Sequence, residues 1–400
     1  MLDKKHGALL FLNSASTGML SPLLTLLLLD KGIGLAAVPL AVGLYSAVAV
    51  IFEVPSGMAA DRWGRKNCFL VSQALLLPGL GLLALGQGMA AVLAAMAFQG
   101  FARAFASGSL DALVVEEFLL KNGAGALPKC TARISALTSI GLAMGCLAGG
   151  GVYALTGRMW TALALKGALV LVLLALSAGL EEHPVERGQE EPNPAVQLAA
   201  ALRSPGLVRA LVLWSAVFAP ALFAVEVFYQ PRFEQLLNSS AAGWALGTLS
   251  AGAFYASAAG AVLAPRLMRR PTLGRLLGVS ALVGAGLMAL SAAGTPVLFV
   301  AFYFLFYVVN GSTDYLTSTL MNEAAPPSQR ATLLSAGSLT LQLGGLAASP
   351  LLSAGAAVGP IPQVWLAAGG ALASLMLAWL AVHLLRARKT KSKPPAKPVV

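Results

Sequence analysis

Five ionisable residues interrupt stretches that are otherwise almost wholly apolar: Glu53, Arg103, Asp111, Glu226 and Asp314. An unpaired ion in hydrocarbon costs at least about 2.5 to 3.5 kcal/mol by insertion scales, so a charge kept there pairs, carries a proton or meets a ligand. Glu53 stands two helical turns before Asp61, about 12 Å deeper than the loop that Asp61 borders. Such a carboxyl is a candidate to load and release a proton, the plainer alternative being a neutral acid that only donates a hydrogen bond between helices. Arg103 falls about 21 Å below the outer end of its helix; it is a candidate partner for Glu53, or an anchor for helix dipoles or Gln73. Glu226 precedes Phe228-Tyr229-Gln230-Pro231, toward the outer end of its helix, and is either solvated in an outer vestibule or a ligand for a cationic substrate. Asp111 and Asp314 come late in their helices near the inner interface. They are expected to act as gate or latch residues, pairing with Arg62 or Arg65 and with Arg269 or Arg330.

Two short motifs add backbone chemistry. In Gly57-Met58-Ala59-Ala60-Asp61-Arg62-Trp63-Gly64-Arg65-Lys66, Gly57 lies one turn before Asp61 and lets a neighbouring helix approach, while Gly64 permits a tight turn. Asp61, Arg62, Arg65 and Lys66 can then form charge-assisted pairs with facing helix ends, or the basic residues merely fix topology. In Gly141-Leu142-Ala143-Met144-Gly145-Cys146-Leu147-Ala148-Gly149-Gly150, small residues four apart make a groove in which two backbones touch. It is expected either to seat this helix on its partner from the other half of the chain or to serve generic packing.

The elements that position these residues are long apolar helices. Of the 400 residues 58% are hydrophobic and 11% charged, against about 25% charged in soluble domains, so lipid rather than a water-soluble core must absorb the apolar surface. Apolar runs near the 20 residues needed to cross the bilayer are expected over 7–29, 37–60, 68–87, 89–118, 132–156 and 160–180. A second set is expected over 206–230, 241–268, 274–293, 296–321, 331–355 and 362–386. The first run is too long for a signal-peptide core. With the N-terminus cytoplasmic, all of the 27 Lys and Arg except Lys31, Arg103, Arg158, Lys166 and Arg232 fall in loops on one side. That bias places both termini in the cytoplasm and explains the net charge of +11 without nucleic acid. The polar stretch 181–205 reads as a cytoplasmic linker.

The halves resemble each other at a constant offset of 203. Gly108-Ser109-Leu110-Asp111 matches Gly311-Ser312-Thr313-Asp314, with Gly57 on Gly260, Ser135 on Ser338 and Gly141 on Gly344. An even number of spans per copy gives parallel repeats. The fold class expected is therefore an all-α integral membrane protein of 12 transmembrane helices in two pseudo-symmetric six-helix bundles. The bundles are 1–180 and 206–386, followed by a basic cytoplasmic tail, 387–400.

The 57–66 segment closely resembles the signature G-x-x-x-D-R-x-G-R-[KR] of the major facilitator superfamily. Gly141 to Gly150 is similar to the antiporter signature G-x-x-x-G-P-x-x-G-G of its drug-exporting members, with Cys146 in place of the proline and hence without the expected kink. Asn322 to Ser335 resembles a loop common in bacterial facilitator exporters, and Arg103 resembles the buried arginine that members use near a proton-coupling site. The resemblance implies a secondary transporter of the inner membrane, working as a monomer by alternating access, in which the 57–66 cluster latches the outward-facing state. It implies proton-coupled export of small lipophilic or amphiphilic compounds from a cavity with aromatic candidates Phe11, Tyr45, Phe218, Phe223, Phe254, Tyr303 and Tyr307. An importer or lysophospholipid-type flippase, and a receptor or scaffold that transports nothing, remain alternatives. No phosphate-binding loop, metal cluster or hydrolase triad is legible, so a gradient rather than ATP is the expected energy source, and neither a cofactor nor an enzymatic activity is expected. The expected partners are a small-molecule substrate, protons and membrane lipids.

Overall fold

A computed structural model describes residues 3–123, 127–180, 206–237, 243–268, 270–324 and 330–391, with 182, 199 and 201–203. The helices of these residues are α1 (Lys4–Leu20), α2 (Leu24–Asp30), α3 (Val38–Trp63), α4 (Arg65–Leu85), α5 (Gly88–Ala106), α6 (Leu110–Asn122), α7 (Leu127–Thr156) and α8 (Met159–Ala178) in the first half. The second half contains α9 (Leu207–Leu237), α10 (Gly243–Leu267), α11 (Leu273–Ala292), α12 (Pro296–Ala324), α13 (Arg330–Val358) and α14 (Ile361–Lys391). Eleven helical segments are long and apolar enough to cross a membrane, or up to 12 if the bent pair α1–α2 is one span.

Proline does not end these helices as it would in water. Pro55, Pro78, Pro220, Pro231, Pro265 and Pro350 all lie inside helices that continue past them. In hydrocarbon no water competes for the freed carbonyls, and packed neighbours carry the defect. Hence α9 runs on to Leu237 instead of ending at 230. The breaks fall elsewhere. Past Leu20 the chain turns by 48° into α2, so the span expected over 7–29 is two helices. The one expected over 89–118 divides between α5 and α6, where Gly108 takes φ 64°, a conformation glycine adopts without the Cβ penalty.

Pairings recur between the halves: α1 packs on α7 as α9 does on α13, α3 on α5 as α10 on α12, and α4 on α8 as α11 on α14. Small residues set these approaches. A Cβ on Gly141 would stand 2.5 Å from the carbonyl oxygen of Phe11, and Cβ atoms on Gly145 and Gly149 would run into the Ala15 and Met19 carbonyls. This corrects the expected partner: the Gly141, Gly145, Gly149 stripe seats α7 on α1 of its own half. Gly344, the repeat equivalent of Gly141, meets the Ala216 carbonyl of α9 at 2.8 Å by the same measure.

A turn of about 100° around α7 changes the partner. A Cβ on Gly243 of α10 would stand 2.6 Å from the Gly150 oxygen, and one on Gly247 would stand 2.8 Å from the Cys146 oxygen. Gly150 and Cys146 thus form a seam with the other half, and Cys146 is fully buried there. Gly43 of α3 against Ser349 of α13 makes a second seam. A third joins α2 to α9: Thr25 N donates to Gln230 Oε1 (2.8 Å), Thr25 Oγ1 to the Val227 carbonyl (2.9 Å) and Gln230 Nε2 to the Ser21 carbonyl (2.8 Å). Tyr229 Oη adds a bond to Ser21 O at 3.1 Å. These contacts all lie at one end of the molecule. Gly57 has no atom of the described residues within 4 Å of its Cβ position, so the helix approach expected there is not seen among them.

Candidate functional site

Glu226 lies close to the third seam, three residues before Tyr229. The residue lies 11 positions before the end of α9, about 16 Å from it, and Tyr229 and Gln230 of the seam stand between it and that end. Continuation of α9 through Pro231 places Glu226 nearer the middle of its helix than an end at 230 would. Its side is exposed although Val225 and Val227 are buried, and the groups around it come from α7, α9 and α12. Tyr307 Oη donates to Glu226 Oε1 at 2.5 Å, and Tyr303 packs between Tyr307 (4.9 Å between centroids) and Tyr229 (5.3 Å). A lone carboxyl under an aromatic lid, with no cation among its described neighbours, can hold a proton or the positive end of a ligand.

In the first half the charges are arranged differently. Glu53 accepts a hydrogen bond from Ser107 Oγ at 2.9 Å, at the α5–α6 break, and among the described residues no ion pair joins it to Arg103. Arg103 is exposed and acts electrostatically on Tyr45 and Asp111, whereas Gln73 turns to Asn13 (3.3 Å). Arg65 does not take Asp111 as its partner: Nε lies 3.5 Å from Glu116 and Nη1 donates to the Gly108 carbonyl at 3.1 Å. Glu182 is bidentate on the first turn of α4, accepting from Arg65 N (2.7 Å) and Lys66 N (3.1 Å). A carboxylate there satisfies orphan amides and complements the helix dipole. Gly64 makes room for it, because a Cβ would stand 2.5 Å from Glu182 Oε2 and the residue takes φ 89°. Lys66 Nζ donates to the Leu180 carbonyl (2.6 Å), just past the end of α8. Asp61 and Arg62 end α3, exposed.

Asp314 faces a cleft of about 240 Å³ lined by α9, α12 and α13, with Trp214, Phe218, Thr317, Ser318 and Met321 around it. Arg269 and the side chain of Arg330, its expected partners, lie outside the described residues. No other charged group among the described residues acts on this carboxyl.

Against this geometry, the family model described as Major Facilitator Superfamily matches residues 7–349. The chain belongs to that superfamily. It is a multi-pass membrane transporter of small molecules, not an enzyme. No curated protein sequence matches it. Among solved structures, a mutant of the nucleoside transporter NupG superposes with TM-score 0.80 at 16% identity, covering 95% of this chain and 99% of that one. A peptide transporter POT mutant in complex with sulfate gives TM-score 0.73 at 16% identity over 95% and 93%. The POT family transporter PepTSo gives 0.72 at 13% over 98% and 98%. At such identities the likeness is one of fold.

Several residues of this facilitator's site escaped the sequence reading. Glu116, inside the span expected over 89–118, Glu182, in the linker, and Trp214 and Thr317 were not singled out. A signal for the last two was present in the repeat: Asp111 has Arg103 eight residues before it, whereas Asp314 has Phe306 at the equivalent position.

Proposed function

We propose that this facilitator is a proton-coupled exporter of small lipophilic or amphiphilic compounds, built as two six-helix bundles, 1–180 and 206–386, joined by a cytoplasmic linker over 181–205. In this reading twelve spans cross the inner membrane, both termini and the 387–400 tail are cytoplasmic, and the monomer is the working unit. The seam end then faces outside, and the conformation described is open inward. The positive-inside distribution of Lys and Arg supports that orientation.

The observation carrying the reading is Glu226, a carboxyl that accepts a hydrogen bond from Tyr307 at 2.5 Å beside the seam residues Tyr229 and Gln230, with no cation among the described residues acting on it. When the seam opens, the carboxylate takes a proton from outside and lets go of substrate; after reclosure it releases the proton inward and binds again. One proton enters as one substrate leaves. Arg103 and Glu53 on the opposite wall tune the field, and Asp61, Arg62, Gly64, Arg65 and Lys66, with Gly57, Asp111 and Asp314, latch the inner end when the cavity faces outward. The sparse charge of the cavity favours apolar substrates over sugars or phosphorylated ones.

Inside-out vesicles with an acid lumen test this. Vesicles carrying the protein should accumulate a lipophilic fluorescent cation, and an uncoupler should abolish the accumulation. Glu226→Gln should lose the gradient-driven component while retaining substrate exchange at equal pH. Full gradient-driven accumulation by Glu226→Gln would overturn the coupling role, and accumulation no greater than in uncoupled vesicles would overturn export.

A further inference from the structure

The duplicated acids are not equivalent, and the difference leaves a site. Asp111 lies under the field of Arg103, so the first half carries its own counter-charge. At the position equivalent to Arg103 the second half has Phe306, 1% exposed, and no other charged group among the described residues acts on Asp314. A carboxylate in a cleft flanked by aromatic rings, with no cation among the described residues acting on it, can take an external cation, or a proton, for electroneutrality in a low-dielectric setting.

The walls specify what kind of cation fits. Trp214 and Phe218 are stacked at 4.7 Å between centroids, with their planes at 23°, and line the cleft together with Met321 and Leu222. The indole is fixed, because its Nε1 donates to Ser280 Oγ at 2.8 Å. An aromatic wall beside a carboxylate attracts a soft organic cation through the ring quadrupole. A dehydrated metal ion takes about six oxygen ligands, which one carboxylate and a few hydroxyls do not supply. The cleft of about 240 Å³ suits a single ring bearing an alkylammonium group.

Further observations lie on the same face of α12. Tyr307, Asn310, Asp314 and Thr317 are spaced by three or four residues and form one stripe. Asn310 is 7% exposed, yet its Oδ1 has no hydrogen-bond partner, and Thr317 Oγ1 likewise has none. Buried acceptors left unmatched are uncommon and mark places where a donor from outside the chain can arrive. The stripe connects Asp314 to Glu226 through Tyr307, seven residues or about 10 Å along the helix.

We propose that the cleft around Asp314 is a binding site for small aromatic ammonium compounds. The carboxylate holds the cationic head, the Trp214 and Phe218 rings hold the body, and the α12 stripe leads the head toward Glu226. This deepens the export reading by naming its substrate class, and its transport meaning rests on that reading, although binding itself does not require coupling.

The test titrates purified full-length protein with benzyltrimethylammonium, whose charge is independent of pH, and with its neutral isostere neopentylbenzene, followed by calorimetry. Wild type should bind the cation, and Asp314→Asn should weaken it at least tenfold. Binding of the neutral compound should not depend on residue 314. Ser318→Lys places an internal ammonium at an exposed position of the cleft and should abolish cation binding even if Asp314→Asn folds poorly. The proposal is overturned if wild type does not bind, or if Asp314→Asn and Ser318→Lys both bind like wild type. Binding without gradient-driven accumulation would leave this site standing and remove the export reading. Accumulation of other compounds without benzyltrimethylammonium binding would do the reverse.

Discussion

Gly247→Ala perturbs the seam without touching either candidate site. The new Cβ would stand 2.8 Å from the Cys146 carbonyl oxygen and 3.2 Å from the Gly150 Cα. Ordinary contact begins at 3.4 Å, so α7 and α10 must separate by about 0.6 Å where two backbones already touch. Overpacking of this kind costs about 1–3 kcal/mol, and it is felt only while the seam is closed. The helix-propensity gain of alanine over glycine is common to both conformers and cancels. The equilibrium should therefore shift toward seam-open by about 5- to 150-fold. The protein supplies its own reporter, because Cys146 is fully buried in that seam. With Cys68 and Cys130 replaced by serine, the rate at which a membrane-impermeant maleimide labels Cys146 from the seam side should rise by that factor. Gly145→Ala is the control: its Cβ meets Ala15 within the same half, so it should lower thermal stability and leave labelling unchanged. A Gly247→Ala protein labelled at the wild-type rate would refute the assignment of this seam as a moving contact.

Other outcomes follow from the same geometry. Replacing Gln230 by Leu removes the bonds to Thr25 and Ser21 and should raise Cys146 labelling severalfold, since each buried bond lost leaves an orphan worth about 1–3 kcal/mol. Gly64→Ala combines φ 89° with intrusion on Glu182; it should lower stability by about 1–3 kcal/mol, measured as the unfolding midpoint in detergent, and more than Glu182→Gln does. Asp61→Asn and Arg103→Ala should each reduce vesicle accumulation at least tenfold while membrane insertion, read by surface labelling, is unchanged. Wild-type turnover in either would remove that residue from the mechanism.

Much of this architecture was legible because lipid enforces simple rules. Apolar runs, the 203-residue offset and the 57–66 motif led to a helical membrane transporter, and the family match at 7–349 agrees. Helix ends were less legible, since proline stops helices in water and not here, and the longer α9 leaves Glu226 11 residues from its end. The glycines of α7 showed that something approaches closely, but spacing does not name the partner. Only the three-dimensional packing separates Gly149, which meets Met19, from Gly150, which meets Gly243. Charge partners were least legible: Glu116 and Glu182 reach Arg65 from positions 51 and 117 residues further along the chain.

The seam has one further consequence. Among the described residues no ion pair crosses it; backbone contacts and neutral hydrogen bonds hold it shut. At the opposite end Arg65, Glu116, Glu182 and Lys66 form a charged cluster. Dissolved electrolyte weakens exposed charge pairs and hardly affects uncharged contacts. Raising ionic strength should therefore loosen this cluster of the first half while leaving the seam between the halves unchanged.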